Sequence, residues 1–571
     1  MERDHAQATP AVKDIREYHE RTKHRLQKYA QGPGYLDWAN QPNPFRTYEG
    51  AERIQLPLED DDPKGAYDTL FGLEKAPARP WNLRNASTFL RLSLGLAAWK
   101  EYGASRWALR INPSSGNLHS EEAYIITGAV PGLAEGVYHY HSRAHALERR
   151  LHYDSQQYIQ DHPEVAEAGV SKNIMPSQGY FWVGLSSIHW REEWKYGERA
   201  YRYCQLDIGH ALLCLRFAAA AMGWRARLAP GASDGMISRI LGLGNEEDYD
   251  GAETESPGAM VLVTTDGAAP ENADEMFYTT AKILTLLQDA NIARWSGKAN
   301  VISARHGAHW PVIEEADQVT FKPSTEEEFA APPPAAPLGP SGCAHTAAHI
   351  IKTRRSGQAY DGASSMSADK FNRILSALIP RPGMPPWDAI PWRATVHPVL
   401  FVHRVDGFAP GMYILVRGPG EEEELKAAMG EKYRWSRPPA AREGLPLFLL
   451  KEMDARGTAA MISCGQDMAG DGVFSLGMLA RFEDRLATGQ WWYRRLHWEA
   501  GAVGQALYLE AEAAGFRGTG IGCYYDDIFH STVGLKGEAY ACLYHFTIGV
   551  PVEDERLITL PPYGPGEDRD E

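Results

Sequence analysis

The sequence predicts an α+β protein built from two tandem copies of one folding unit. A long helix occurs once in each half of the chain, and so does a strand–turn–strand segment. Between the halves, residues 314–342 change to acidic residues followed by proline and alanine. A chain of 571 residues also exceeds one ordinary hydrophobic core, so at least two domains are expected from its length.

The first repeated element follows the segment PSSGNLH, residues 113–119, and its counterpart PWRATVH, residues 391–397. Each segment precedes an apolar β-rich stretch, a Gly/Pro turn and a second strand with a Gly-x-Tyr sequence, which predicts a β-hairpin. The proline and the histidine keep the same spacing in both copies. Between them, the small hydroxyl side chains of the first copy are replaced by Trp392 and Arg393.

The second repeated element is a long helix that starts near Tyr201 and again near Tyr493. Without a gap, the two segments share a Tyr-Arg start, an acidic residue (Asp207 and Glu499), a mid-helix glycine and a Gly-aromatic-Arg ending. Small residues on one stripe of a helix allow another helix to approach closely. We therefore expect each copy to be a central, packed helix.

The rest of each unit follows its helix. GTGIGCYYDDIFHSTVGL, residues 518–535, has a weaker counterpart at 229–244, and strands near 260–265 and 544–550 are expected to close the two units. The acidic and Pro/Ala-rich stretch lacks hydrophobic periodicity and is expected to be an extended linker. The predicted domains are residues 1–313 and 343–571, joined by the linker at 314–342.

Composition narrows the class of protein. A formal charge of −16 argues against a nucleic-acid partner. No apolar run approaches the roughly 18 residues of a membrane span, and the N-terminus lacks the apolar core of a signal peptide. Six scattered cysteines without a CxxC pair are expected to be small buried side chains in a reducing compartment, and therefore the protein to be cytoplasmic. The histidines of YHYHSRAH, residues 138–145, have no acidic or cysteine partner at ligand spacing, so no metal site is expected.

Several motifs together carry a resemblance to a known family. They are REYHERTKHR, PSSGNLH, GVYHYHSRAHALERR, KYGERAYRYCQLDIGH, IIKTRRSGQAYDG and VEDERLITLPPY. Through them the chain resembles a tandem member of the nitroreductase superfamily, nearest to its SagB/ThcOx-type branch, which includes flavin-dependent dehydrogenases of azoline rings in modified peptides. The resemblance implies two α/β sandwich domains that form an intrachain pseudo-dimer, with FMN at their interface.

The resemblance also implies which residues hold the flavin. Guanidinium forks and a hydroxyl group in RRSGQAY suit a dianionic phosphate. GTGIG would let backbone approach the flavin edge, with a plain turn as the equal alternative, and it lacks the spacing of a dinucleotide-binding turn. The expected FMN-binding residues are Arg354, Arg355, Ser356 and Gln358, with Arg556 as a second cation, Pro113, Ser114, Ser115 and Asn117 lining the ring, and Gly520 and Gly522 at its edge.

The two halves have lost complementary parts of such a site. The first half has RPWNLRNASTF, residues 79–89, in place of the Arg-Arg-Ser motif, and the second half has lost the Pro-Ser-Ser segment. The retained parts predict one composite site: a phosphate grip from the second half and a ring-lining segment from the first. The other pseudo-symmetric position is expected to be dead or filled by side chains.

Lys195 and Tyr196 match a catalytic Lys-Tyr pair of the azoline dehydrogenases, and the second half has TGQWWYRR there, without a lysine. A lysine beside a flavin could remove a substrate proton as hydride leaves to N5, if its surroundings lower its pKa. The alternative is an exposed lysine and a packing tyrosine.

The functional hypothesis is an FMN-dependent oxidoreductase that transfers hydride to or from flavin N5 and works as a monomeric pseudo-dimer. Its substrate is an azoline-type ring of a modified peptide, or a small nitro or quinone compound reduced with NAD(P)H. The alternative from another class is a flavin-free scaffold that partners a peptide-modifying enzyme.

Overall fold

The computed structural model describes residues 11–153, 160, 179–266, 272–289, 293–418 and 420–564. The helices are α1 (Ile15–Arg21), α2 (Leu83–Ser93), α3 (His189–Tyr196), α4 (Ala200–Ala221), α5 (Asp234–Leu241), α6 (Ala273–Asp289), α7 (Pro311–Val319), α8 (Ala347–Thr353), α9 (Ala368–Ala377), α10 (Glu422–Met429), α11 (Arg456–Ile462), α12 (Met468–Asp471), α13 (Glu483–Thr488), α14 (Trp492–Ala513) and α15 (Asp526–Thr532).

The strands of the first half are β1 (Tyr48–Glu49), β2 (Glu52–Gln55), β3 (Leu96–Tyr102), β4 (Ser105–Arg110), β5 (Glu121–Thr127), β6 (Gly136–His141), β7 (Ala146–His152), β8 (Tyr180–Ser187), β9 (Arg225–Leu228), β10 (Ser256–Thr264), β11 (Arg294–Trp295) and β12 (Lys298–Ala299). Those of the second half are β13 (Val396–Val402), β14 (Gly411–Leu415), β15 (Leu447–Glu452), β16 (Phe474–Arg481), β17 (Arg517–Ile521), β18 (Tyr540–Gly549) and β19 (Ile558–Leu560).

The two halves have main sheets of the same topology. Strand order in the first half is β7-β6-β5-β8-β10-β9, extended beside β7 by β2 and β11, and in the second half it is β15-β14-β13-β16-β18-β17. Neighbouring strands pair antiparallel throughout both orders. The predicted α+β fold with two tandem units is confirmed, including the repeated hairpins β5–β6 and β13–β14.

The helices α4 and α14 cross at the centre of the molecule, and nearly all their residues are buried. A side chain on Gly209 would overlap the carbonyl oxygen of Trp498, and one on Gly501 would overlap that of Leu206. The shared mid-helix glycine therefore permits the close contact between the two helices. Around this crossing the halves form the predicted intrachain pseudo-dimer.

Each end of the chain reaches the opposite half. Near α1, the backbone amide of Ile15 donates to Oε1 of Gln490 at 2.7 Å, and that of His24 donates to the Asp526 carboxylate at 3.0 Å. At the other end, β19 pairs with β3, and the Tyr563 hydroxyl donates to the carbonyl of Ser142 at 3.0 Å. These exchanges, together with the central helices, tie the halves into one body.

The linker begins later than predicted. Residues 314–319 belong to α7, which starts with a proline at its first turn and buries Val312, Ile313 and Ala316. Residues 321–344 then contain no helix or strand. The apolar stripe of α7 starts upstream of the acidic run, which is why the change in composition did not mark the end of the helix.

None of the helices within the described residues is both long and apolar enough to cross a membrane. Those residues also contain no cluster of three or more His, Cys, Asp or Glu side chains arranged to hold a metal ion.

Candidate active site

A cavity of about 440 Å³ lies where the two halves meet. It is lined by eleven of the predicted site residues: Pro113, Ser114, Ser115, Asn117, Tyr196, Arg354, Arg355, Ser356, Gln358, Gly520 and Gly522. The first five belong to the first half and the other six to the second. Lys195 lies directly behind the lining, and Arg556 lies outside it.

One end of the cavity is basic. Arg354 directly follows the C-terminus of α8. The partial negative charge at the C-terminus of a helix favours a cation at this position. Arg354 is 4% exposed, and its Nη2 donates to the carbonyls of Arg110 and Ile111 at 3.3 Å. Among the described residues the Nε of Arg354 has no hydrogen-bond partner. Neither Arg354 nor Arg355 has a carboxylate of those residues within ion-pair distance.

Burial lowers the pKa of Arg354. Burial, together with the neighbouring charge of Arg354, lowers the pKa of Arg355 to about 10. Both shifts mean that the positive charges are held in a partly desolvated place, where the carboxylate of Glu512 offsets them only in part. Such an end of a cavity suits a phosphate group, which accepts hydrogen bonds from guanidinium forks.

Besides Arg354 and Arg355, the second half contributes the guanidinium group of Arg517 to the cavity, and not that of Arg556. Arg517 lines the cavity and pairs with Glu553 at 2.7 Å. The side chain of Arg556 is 71% exposed, pairs with Asp554 at 2.7 Å and donates to the Tyr102 hydroxyl at 3.1 Å. Arg517 belongs to the repeated Gly-aromatic-Arg ending, but the repeat carried no signal for a ligand.

Tyr508 organises the wall next to the basic end. Its hydroxyl lies 2.9 Å from Oγ of Ser356 and accepts the backbone amide of Gly520 at 3.0 Å, while the Arg354 guanidinium lies 4.9 Å from its ring centroid. The backbone amide of Gly520 is thus hydrogen-bonded within the protein.

The glycines of GTGIG lie on and just after the edge strand β17, so the alternative of a plain turn is wrong. A side chain on Gly520 would overlap the Tyr544 hydroxyl, and one on Gly522 would overlap the Tyr203 ring. Both tyrosines line the cavity. Glycine is therefore required here so that two aromatic side chains can form the wall.

The PSSGN segment is held by a buried carboxylate. Asp207 of α4 accepts from Ser114 Oγ at 2.6 Å, from the Ser115 backbone amide at 3.0 Å and from Ser115 Oγ at 3.1 Å. The Ser114 oxygen also accepts the backbone amide of His119 at 2.8 Å. Both hydroxyl groups are thus used in hydrogen bonds that shape the loop. The two serines contribute their small size to the cavity, rather than polar groups available to a ligand.

Lys195 and Tyr196 form the last turn of α3, which ends at Gly197 with a φ of +55°. A Cβ atom on Gly116 would lie 2.6 Å from the Tyr196 hydroxyl and 2.9 Å from Nζ of Lys195. Both polar groups therefore face the glycine of the PSSGN loop. Burial raises the pKa of Tyr196, so its phenol stays protonated and can donate a hydrogen bond.

A second carboxyl group lies one turn before this pair. Oε1 of Glu192 lies 3.4 Å from Ser114 Oγ, and Oε2 has no partner within the described residues. Burial, and then the neighbouring Asp207, raise the pKa of Glu192, while burial and Glu121 raise that of Asp207. Acidic side chains with displaced pKa values are common at functional sites. Asp207 was visible in the sequence as part of the repeated helix, whereas no sequence pattern pointed to Glu192.

The other pseudo-symmetric position is filled by side chains. Arg495, the counterpart of Tyr203, stacks on Trp392 at 5.2 Å and on Trp492 at 4.8 Å. From the linker, Glu327 accepts two hydrogen bonds from Arg495 at 2.7 and 2.8 Å, and the ring of Phe329 lies 6.4 Å from that of Trp392. The bulky residue that replaces the serine thus sits in a packed cluster, as its size suggested.

Comparisons with known proteins support the fold. A structure described as a putative nitroreductase from Anabaena variabilis covers 95% of this chain and 100% of its own, with a TM-score of 0.64 and 20% identity. This chain has the nitroreductase fold. At that identity the likeness concerns the fold alone, and no family model matches the sequence.

Two further matches cover parts of the chain. The trifolitoxin-processing protein TfxB of Rhizobium leguminosarum bv. trifolii is 30% identical over 163 residues, which are 27% of this chain and 42% of TfxB. The chain therefore matches less than half the length of that curated relative. A structure of the E. coli microcin synthetase McbBCD complex, with truncated pro-MccB17 bound, covers 46% of this chain and 89% of its own at 18% identity, with a TM-score of only 0.25.

Within this nitroreductase fold, several cavity residues had no sequence signal. They are Gly116, Tyr203, His210, Gln466 and Tyr544, which come from four separate elements or loops. Tyrosines inside alternating strands or helices read as core residues, and only the three-dimensional packing brings them to one cavity.

Proposed function

We propose that this chain is an FMN-dependent oxidoreductase of the SagB type with one composite active site. The observation that carries the proposal is the cavity between the halves. At one end, three guanidinium groups of the second half lie without full charge compensation. At the other, a small-residue loop and a Lys-Tyr pair of the first half form the wall.

The cavity residues fit FMN. Among the described residues the Nε of buried Arg354 has no hydrogen-bond partner, and this and the lowered pKa of Arg355 support a site for one phosphate group. Arg354, Arg355 and Arg517 would hold it, with Ser356 and Gln358 beside them. A volume of about 440 Å³ falls in the usual range of small-molecule sites. A single basic end favours a mononucleotide over FAD.

The chain's own groups would handle the protons of the reaction. Bound FMN would supply an acceptor for a hydride from the substrate. Lys195 would take a proton from the substrate, because its Nζ faces the loop at Gly116 beside the cavity. Tyr196, whose phenol stays protonated, would orient the substrate by donating a hydrogen bond. The aromatic wall of Tyr203 and Tyr544 would limit access of water.

For the substrate, we infer a ring of the azoline type in a modified peptide. The name of TfxB assigns it to trifolitoxin processing, and its match to part of this chain supports a processing role over nitro or quinone reduction. Reduction of bound FMN by NAD(P)H alone, with no response to an azoline peptide, would favour the reductase instead.

The test uses a matched pair of arginines. Arg355→Ala removes a cavity guanidinium, whereas Arg556→Ala removes an exposed one near the rim. Loss of a charge-assisted hydrogen bond costs about 1.5–3 kcal/mol, so Arg355→Ala should weaken FMN binding by roughly 10- to 150-fold. Arg556→Ala should leave it unchanged. Binding is measured by quenching of FMN fluorescence on titration of the apoprotein.

If both variants bind FMN as tightly as the parent, the basic end is not the phosphate site. If the parent chain binds neither FMN nor FAD, the scaffold alternative takes the place of the enzyme.

A further inference from the structure

Two cysteines from separate parts of the sequence meet at the wall of the cavity. Cys523 lines the cavity and Cys464 lies beside it, both half-buried and in the thiol form. Their segments are joined on either side. The Tyr525 backbone amide donates to the carbonyl of Ile462 at 2.8 Å, and the Gln466 side-chain amide donates to the carbonyl of Cys523 at 3.1 Å.

The two thiols influence each other's ionisation, and their surroundings make them unequal. The Cys464 thiol and, less strongly, the His24 ring stabilise the Cys523 thiolate and lower the pKa of Cys523, against the effect of burial. In return, Cys523 raises the pKa of Cys464. Nδ1 of His24 accepts the Ala30 amide at 3.0 Å, so the proton of the neutral ring sits on Nε2.

The other cysteines lack this arrangement. Cys204, Cys214 and Cys542 are buried, and Cys343 is half-buried. Burial raises the pKa of all four thiols. Because the thiolate is the nucleophile, Cys523 is the one cysteine of the described residues with both exposure and an activated sulfur. The expectation of small buried cysteines is therefore wrong for Cys343, Cys464 and Cys523.

We propose that Cys464 and Cys523 form a reversible disulfide in the cavity wall, by exchange with a small-molecule disulfide. The segments already meet through two flanking hydrogen bonds, so a bridge would join two stretches of chain that are in contact before it forms. Gln466 and Cys523 both line the cavity, and a bridge would fix these two lining segments to each other.

The exchange proceeds in two balanced steps. The Cys523 thiolate attacks one sulfur of the small disulfide, forming a mixed disulfide and releasing one thiolate. Cys464 then gives up its proton and attacks the Cys523 sulfur, releasing the second thiolate. The protons lost by Cys523 and Cys464 end on the two released thiolates, which become thiols. Two protein thiols are oxidised to one disulfide, and one small disulfide is reduced to two thiols.

The experiment treats the full chain with glutathione disulfide, digests it without reductant and identifies linked peptides by mass spectrometry. We expect a peptide pair joined through Cys464 and Cys523, no glutathione on Cys523, and reversal by dithiothreitol. The Cys464→Ser variant should instead keep a stable glutathione adduct on Cys523, because the resolving thiol is gone.

A persistent glutathione adduct on Cys523 of the unaltered chain would overturn the pairing, and so would modification of Cys343 alone. The pH dependence gives a second readout on the unaltered chain. At about pH 6.5, roughly two units below the ordinary thiol pKa, iodoacetamide should alkylate Cys523 at least severalfold faster than Cys343. Equal rates would contradict the activation of Cys523. Neither readout requires FMN, so the result is independent of the proposed oxidoreductase activity.

Discussion

The two pseudo-symmetric positions of this molecule share a scaffold and differ in content. In each, a carboxylate of the central helix holds the loop that precedes a hairpin. Asp207 accepts the Ser115 backbone amide at 3.0 Å, and Glu499 accepts those of Thr395 and Val396 at 3.0 and 3.1 Å. Both copies thus retain the carboxylate that holds the loop, although the space beside the loop is open in one copy and filled in the other.

The electrostatic surroundings separate the two positions. Glu499 pairs with Arg417 at 2.6 Å, both buried, so its charge is compensated. Asp207 is held by hydroxyl and amide groups, with no arginine or lysine within ion-pair distance among the described residues, and its pKa is raised by burial and by Glu121. The filled position is packed like ordinary core, whereas the open position keeps a buried carboxyl group with a raised pKa beside the cavity. That contrast is typical of a site retained for function.

The strongest test of the contrast concerns Lys195, which has no lysine counterpart in the second half. Lys195→Ala should keep FMN bound, because its Nζ faces Gly116 of the PSSGN loop and is not one of the guanidinium groups of the basic end. Loss of a general base typically costs about 100-fold or more, and flavin reduction by substrate should slow by that factor. Flavin bleaching without oxygen measures the step.

Tyr196→Phe is the companion variant, since it removes only the hydroxyl group. A large loss of rate would mean that the phenol donates to the substrate, and a small one that the ring only packs against Tyr203. If both variants reduce FMN at the parent rate with the true substrate, the pair has no catalytic role.

The next test exchanges the contents of the two positions. Ser114→Trp places in the open position the residue that fills the other. Overpacking costs about 1–3 kcal/mol, so FMN binding should weaken by roughly 5- to 150-fold. Trp392→Ser should lower the melting temperature, because a buried tryptophan is lost, while FMN affinity stays unchanged. Titration should find one FMN per chain.

A stoichiometry of two FMN per chain would show that the filled position opens in solution. Equal effects of Ser114→Trp and Trp392→Ser on FMN affinity would contradict the assignment of the site to one side.

The sequence predicted the duplication well because the repeat preserves residues with backbone roles. Gly209 and Gly501 permit the helix crossing, and Asp207 and Glu499 hold the loops, so the same types recur at the same spacing. The location of the cavity followed from complementary losses, since Arg354 and Ser114 are absent from the opposite half. Such signals are local, and local signals can be read without a structure.

What the sequence missed depends on packing between distant segments. Arg517 was known only as a repeat ending, and its exposure to the cavity depends on where β17 lies relative to α8. Arg556 is a residue type that often binds phosphate, but its side chain forms an ion pair with Asp554 two residues away. Cys464 and Cys523 lack the spacing of a redox motif, and tertiary contacts alone bring them together.

The smallest expected effect concerns the linker, which covers the filled position. Phe329→Ala should destabilise the chain by about 2 kcal/mol, roughly half the loss for a fully buried phenylalanine, because the ring is only partly buried against Trp392 and Arg495. FMN affinity and stoichiometry should not change, since Trp392, Trp492 and Arg495 still occupy the position. Thermal unfolding and FMN titration on the same preparation measure both. A second bound FMN in this variant would mean that the linker, and not the tryptophan cluster, closes the second site. In that case the two positions would differ only by a segment that can be displaced, and both copies would have kept a flavin site.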